Sequence, residues 1–172
     1  MGPFKLALKP GAIRLFMPSL SRSPTSALPA PPPRSAAWLG YGGLLPFVAL
    51  AMATWMLEES RQAQAVFVLL AYGATILSFL GAIHWGLALR DPTDPRVALL
   101  VWAVMPSLVA WAALVWGESE GLWLLAAGLW ACWAVDRSVY PRLGLEGWLG
   151  MRLILTAVAS VSCVGATLHS LQ

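Results

Sequence analysis

A single histidine lies deep in a long apolar stretch of the chain, within the segment AQAVFVLLAYGATILSFLGAIHWGLAL. His84 comes six residues before Arg90, so it lies about 9 Å from the end of a helix that stops there. An ionisable group inside a membrane helix either carries protons or ligands, or hydrogen-bonds a neighbouring helix. A third alternative is an anchor at the membrane interface. We expect the second role, in which a neutral imidazole forms one interhelical hydrogen bond.

Further polar side chains occur at the same predicted level of the membrane as His84. The candidate inner-leaflet polar cluster consists of Tyr41, His84, Asp136, Arg137 and Arg152. Tyr41 lies near the start of the first apolar segment, Arg152 near the start of the last, and Asp136 and Arg137 near the end of the fourth. The spacing allows these side chains to converge on one polar layer. The alternative is that they are helix-end groups in contact with water.

Sequence motifs for catalysis and cofactor binding are missing from the chain. No G-x-x-x-x-G-K-[ST] phosphate-binding loop occurs, and Cys132, Cys163, His84 and His169 lack the spacing of a zinc site. We therefore expect no enzymatic activity, no catalytic residues, no metal and no cofactor. The net charge of +3 is too small to indicate nucleic acid as a partner.

The composition places the chain among membrane proteins. Hydrophobic residues make up 59% and charged residues 11% of its 172 residues, with a mean hydropathy of +0.71, whereas a soluble domain carries about 25% charged residues. A spanning helix needs roughly 20 apolar residues, and hydrocarbon forces the backbone to satisfy its own hydrogen bonds. We therefore predict an all-α, polytopic membrane bundle of five transmembrane helices, at about 38–57, 63–89, 97–116, 119–139 and 149–171. The fourth segment is the shortest apolar run, and the alternative to a spanning helix here is a re-entrant or interfacial segment.

The basic residues divide unevenly between the predicted loops. With the N-terminus inside, ten of the eleven Lys and Arg residues lie on the inner side, and only Arg61 lies outside. Because such an excess sets the orientation of membrane proteins, we predict an N-in, C-out topology in a bacterial inner (plasma) membrane. The mitochondrial inner membrane is the alternative.

The first part of the chain differs from the rest in composition. Residues 1–34 hold eight of the thirteen prolines and no acidic residue. We predict that residues 1–36 form a disordered, basic, Pro/Ser-rich tail. The alternatives are an organellar targeting segment and a basic tail that enforces orientation and touches anionic lipid.

Small residues follow one another at four-residue spacing along the second segment. Ala74, Ser78, Ala82 and Gly86 form the stripe, and Gly73 and Gly81 widen it. Because small side chains let helices approach closely, we predict that this surface packs inside the bundle. Chance in an Ala-rich chain is the alternative.

The order of several short segments is similar to that of a known family. The segments are GLLPFVALA, AYGATILSFLGAIHWGLAL, VWAVMPSLVAW and AVDRSV. Residues 38–168 resemble a family of small multi-pass membrane proteins with a domain of unknown function, which includes transmembrane protein 69. The resemblance implies a multi-pass helical protein and brings no assigned activity or catalytic residue.

The function expected from the sequence is a structural or assembly role in the inner membrane. The alternative is a small carrier or proton-coupled transporter that acts as a dimer, with His84 in the pathway. The expected partners are the lipid bilayer and either a second copy of the chain or another membrane protein.

Overall fold

The computed structural model describes residues 31–90 and 97–170, and all regular structure in these two ranges is helical. The α-helices are α1 (Arg34–Gly42), α2 (Leu44–Met56), α3 (Glu59–Ala88), α4 (Val97–Trp116), α5 (Glu118–Val139) and α6 (Leu149–Ser170). Two 3₁₀ turns, Pro141–Leu143 and Glu146–Trp148, connect α5 to α6. The prediction of a disordered tail falls mainly on residues 1–30, which lie outside the described residues, although its last residues already belong to α1.

The two prolines inside the predicted spans have different effects. Pro46 has no N–H to donate to the carbonyl of Gly42, and the first span divides at this place into α1 and α2. Gly43, between them, keeps helical backbone angles, and its carbonyl oxygen accepts a 2.8 Å hydrogen bond from the Tyr72 hydroxyl. Pro106 is buried within α4, which continues through it. The Tyr72 contact from α3 thus supports the chain where the first span divides, whereas Pro106 is accommodated inside a continuous, buried part of α4.

Four helical segments are both long and apolar enough to cross a membrane: Arg34–Met56, Glu59–Ala88, Val97–Trp116 and Glu146–Leu168. The prediction of an all-α membrane bundle is confirmed. Helix α5 has 22 residues and hence a length of about 33 Å, but it carries acidic residues in its first turn and Asp136 and Arg137 near its end. Five crossings therefore remain a prediction that depends on α5.

Helix α3 lies at the centre of the bundle and packs on α2, α4 and α5, while α6 packs on α2 and α5. The core contains Phe47, Leu69, Leu77, Leu122 and Leu125, each at most 1% exposed. Many large apolar side chains instead cover the outside, among them Trp38, Met56, Phe79, Trp111 and Val161. An apolar exterior of this kind suits a surface that faces lipid.

The predicted small-residue stripe on α3 is only partly inside the bundle. Gly73, Ala74 and Gly81 are buried, and Ser78 is half-buried. Ala82 and Gly86 are exposed, and a Cβ atom added to Gly86 would meet nothing within 4 Å. The prediction was wrong for these two residues because the buried face of α3 runs through Gly73, Leu77, Gly81 and His84. An α-helix has 3.6 residues per turn, so residues spaced strictly four apart move gradually around the helix and away from the buried face.

The topology can be tested with reporter fusions. A reporter placed after Gln172 should report the outer compartment, and one placed after Arg142 the inner compartment. An insertion at Gly117, between α4 and α5, should also report the outer side, because α5 then crosses inward. Fusions at Arg142 and Gln172 that report the same side would contradict five crossings.

Candidate functional site: a buried His–Asp–Arg cluster

Three ionisable side chains meet inside one end of the bundle. Asp136 Oδ1 lies 3.2 Å from His84 Nε2, and Asp136 Oδ2 lies 2.7 Å from Arg152 Nε. His84 and Asp136 are each 1% exposed, and Arg152 is 6% exposed. We call these residues the polar cluster. It joins α3, α5 and α6 through a single central carboxylate.

The chain reversal between α5 and α6 brings Asp136 and Arg152 together. The Leu145 N–H donates a 2.9 Å hydrogen bond to the Tyr140 carbonyl, which closes the turn. Gly144 adopts a left-handed conformation with φ +69°, which is unfavourable for residues that have a Cβ atom. The reversal places the last turn of α5 beside the first turn of α6, and His84 reaches the same level from the last turns of α3.

Both ring nitrogens of His84 face oxygen acceptors. Nδ1 lies 3.2 Å from the Leu80 carbonyl oxygen, four residues earlier on the same helix, and Nε2 faces Asp136. A neutral imidazole has one N–H, so it can donate to only one of these two acceptors. The Nε2–Oδ1 contact lacks the alignment of a hydrogen bond.

Two aromatic rings enclose the imidazole. The Trp102 ring lies edge-on to His84 at 6.5 Å between centroids, and the Tyr140 ring lies at 6.3 Å. Burial and the nearby Asp136 carboxylate raise the pKa of Tyr140 to about 12, so its hydroxyl remains protonated near neutral pH. The nearby positive charge of Arg152 acts in the opposite direction on this pKa and is outweighed. These aromatic groups close the space around His84 on the sides of α4 and of the α5–α6 turn.

The structure brings together three of the five residues predicted for this cluster. Tyr41 is 41% exposed, and Arg137 lies with its guanidinium 5.7 Å from the centroid of the Trp133 ring. The inclusion of both was wrong. Arg137 follows Asp136 directly, and consecutive side chains on a helix point about 100° apart. Asp136 therefore faces the core while Arg137 points elsewhere.

Sequence reasoning missed both Tyr140 and Trp102. Tyr140 follows Asp136 by four residues, a spacing that places both on one helical face, and this was the signal available. No comparable signal marked Trp102. In the described ranges, no group of three His, Cys, Asp or Glu side chains is placed to hold a metal.

A cavity of about 560 Å³ lies beside the polar cluster. Its wall is made by α1, α2, α3 and α6, by Leu129 in the middle of α5 and by the α5–α6 connection, and it is mostly apolar. Arg152 and Tyr140 reach this wall, whereas His84 and Asp136 do not. We call it the lateral cavity.

A bundle of long apolar helices around a buried ion cluster defines a polytopic helical membrane protein. Residues 32–168 match the model of the family described as "Protein of unknown function (DUF3429)", and the chain belongs to this family. It is similar to "Transmembrane protein 69" of Xenopus tropicalis, with 35% identity over 143 residues and 80% of this chain, and to that of Mus musculus, with 31% identity over 137 residues and 77% of this chain.

The chain spans about half the length of these curated relatives, 55% in each case. No solved structure matches it. The resemblance to a family of membrane proteins with a domain of unknown function is therefore confirmed.

Proposed function

We propose that this protein has a structural or assembly role in an inner membrane and catalyses no reaction. The observation that carries this proposal is the burial of the polar cluster. His84 and Asp136 are each 1% exposed and do not line the lateral cavity. A proton carrier needs a water-filled path to its titrating group. An interhelical lock, by which we mean polar contacts that hold helices together, needs no such path and is favoured by burial.

The bonding of His84 supports the same role. Its nitrogens face Leu80 on its own helix and Asp136 on α5, and Asp136 continues the chain of contacts to Arg152 on α6. The two contacts of Asp136 thus join α3, α5 and α6, whereas the contact with Leu80 lies within α3. The partners proposed for this role are the bilayer and a second membrane protein or a second copy of the chain, and the proposed location is a bacterial or mitochondrial inner membrane.

A flux measurement separates the lock from the carrier. Purified protein is reconstituted into vesicles that contain a pH-sensitive dye, and a pH gradient is imposed. We expect the gradient to decay at the rate of protein-free vesicles, both for the native protein and for His84→Gln. Faster decay that is lost in His84→Gln would overturn the structural role and support the proton-coupled carrier.

The stability of His84 variants provides a second readout in detergent. An amide can keep a polar contact with Asp136 in place of the imidazole, and even an aligned interhelical hydrogen bond in a membrane contributes only about 0.6 kcal/mol on average. We expect His84→Gln to keep most of the native melting temperature and His84→Leu to lose more. Equal melting temperatures of native protein and both variants would contradict a lock at this position.

A further inference from the structure

The lateral cavity runs along the direction in which a lipid chain lies in a membrane. Its wall includes Arg152, Leu155, Thr156 and Ala159 on successive turns of α6, so it extends about 10 Å along the helix. On α3 it extends from Ile83 back to Ile76, away from the same helix end. The cavity thus begins at the level of the helix ends and continues towards the middle of the bundle. Its volume of about 560 Å³ falls within the range of small-molecule sites, about 300–1,000 Å³.

The polar groups of this wall occur at two depths. The Nε–H of Arg152 donates to Asp136, but a guanidinium has five N–H donors, and Arg152 lines the cavity at the level of the first turn of α6. One turn deeper, Thr156 is 1% exposed, and its hydroxyl has no hydrogen-bond partner among the described residues. An unpartnered buried hydroxyl is costly, and this one also belongs to the cavity wall. A ligand with polar groups at both depths would satisfy it.

The charge of the cavity wall favours an anion. Among the described residues that line the cavity, Arg152 is the one charged side chain, and its partner Asp136 does not reach the wall. Basic pockets between membrane helices recognise anionic lipid headgroups. A phosphate placed against Arg152 would meet this positive charge and leave the contact between Arg152 and Asp136 in place.

We propose that the lateral cavity binds one anionic phospholipid of the surrounding bilayer. Its phosphate accepts hydrogen bonds from Arg152, an ester carbonyl one turn deeper accepts one from the Thr156 hydroxyl, and an acyl chain lies against Phe47, Ile76 and Leu80. The proposal assigns a partner to the Thr156 hydroxyl, which has none among the described residues. It is independent of the structural role proposed above.

Two glycines on α1 provide a matched pair of variants. Gly40 lines the cavity, and a Cβ added there meets first the flexible end of Met151, whereas a Cβ on Gly42 meets nothing within 4 Å. Delipidated protein is mixed with dioleoyl phosphatidylglycerol, and bound lipid is counted by native mass spectrometry. We expect one tightly bound lipid per native chain, about tenfold or more weaker binding to Gly40→Leu, and native binding to Gly42→Leu. Equal binding to Gly40→Leu and native protein would overturn the proposal.

A second pair of variants, each of which removes one hydroxyl group, causes a smaller structural change. It tests the proposal even if Gly40→Leu is unstable. Thr156→Val should weaken binding by about 2- to 10-fold, the effect of one lost hydrogen bond. Thr75→Val should leave binding unchanged, because the Thr75 hydroxyl is exposed and bonds the Tyr72 carbonyl of its own helix. Identical binding to Thr156→Val and native protein would contradict the assigned ester contact.

Competition experiments distinguish an anionic phospholipid from other ligands that carry a phosphate or an acyl chain. Dioleoyl phosphatidylcholine should bind clearly more weakly than the phosphatidylglycerol, because it has no net charge. Oleate and inorganic phosphate should displace the phospholipid poorly, because each supplies only part of the contacts. Equal binding of the two phospholipids, or efficient displacement by oleate or by phosphate alone, would overturn the assignment to an anionic phospholipid.

Discussion

Replacement of Asp136 by leucine is expected to lower the free energy of unfolding by about 3–5 kcal/mol, the usual cost of breaking a buried ion pair. Asp136 is the centre of the polar cluster and touches both His84 and Arg152. Its loss leaves the Arg152 guanidinium, 6% exposed, largely buried without its carboxylate partner. The measurement is unfolding of the purified protein in mild detergent, followed by the fluorescence of its ten tryptophans.

The double variant Asp136→Leu/Arg152→Met shows whether the unpaired charge is the cause. Removing both charges of a buried pair is often nearly neutral or stabilising, so the double variant should unfold later than Asp136→Leu alone. Glu120→Ala is the control for loss of an acid, because Glu120 is exposed at the other end of α5 and its loss should change stability by less than about 0.5 kcal/mol. If the double variant were less stable than both single variants, the ion pair would not explain the effect.

Replacement of Gly81 by alanine is expected to destabilise the bundle by about 1–3 kcal/mol, the cost of overpacking a close-fitting interface. Gly81 lies where α3 crosses α4, and a Cβ there would overlap the main-chain carbonyl oxygen of Ala103 and crowd the Pro106 ring. A carbonyl group cannot rotate away as a side chain does, so α3 and α4 must separate. The same unfolding measurement in detergent reports the loss.

Gly86→Ala provides a control of opposite sign on the same helix. Gly86 is exposed, and a Cβ there meets nothing within 4 Å. Because alanine favours a helix over glycine by up to about 1 kcal/mol, this variant should be as stable as the native protein or slightly more stable. If Gly81→Ala matched Gly86→Ala, the close approach of α3 and α4 would be contradicted.

The sequence alone determined the class of the fold and the approximate place of the polar cluster. Long apolar segments leave water and must satisfy their backbone hydrogen bonds internally, so the composition was sufficient to predict an all-α membrane bundle. His84, Asp136 and Arg152 were predicted to lie at one level because distance along a helix follows directly from residue number. The order of the helices then sets which ends lie together.

The tertiary structure alone decided which way each side chain points around its helix. Asp136 faces the core and Arg137 does not, although they are neighbours in the chain. Gly81 is buried against α4, whereas Ala82 and Gly86 are exposed. Position along a helix axis depends on residue count, but rotation about the axis is set by contacts with neighbouring helices. Nearly every residue of these segments is apolar, so hydropathy does not distinguish their faces, and only packing could place Trp102 beside the polar cluster.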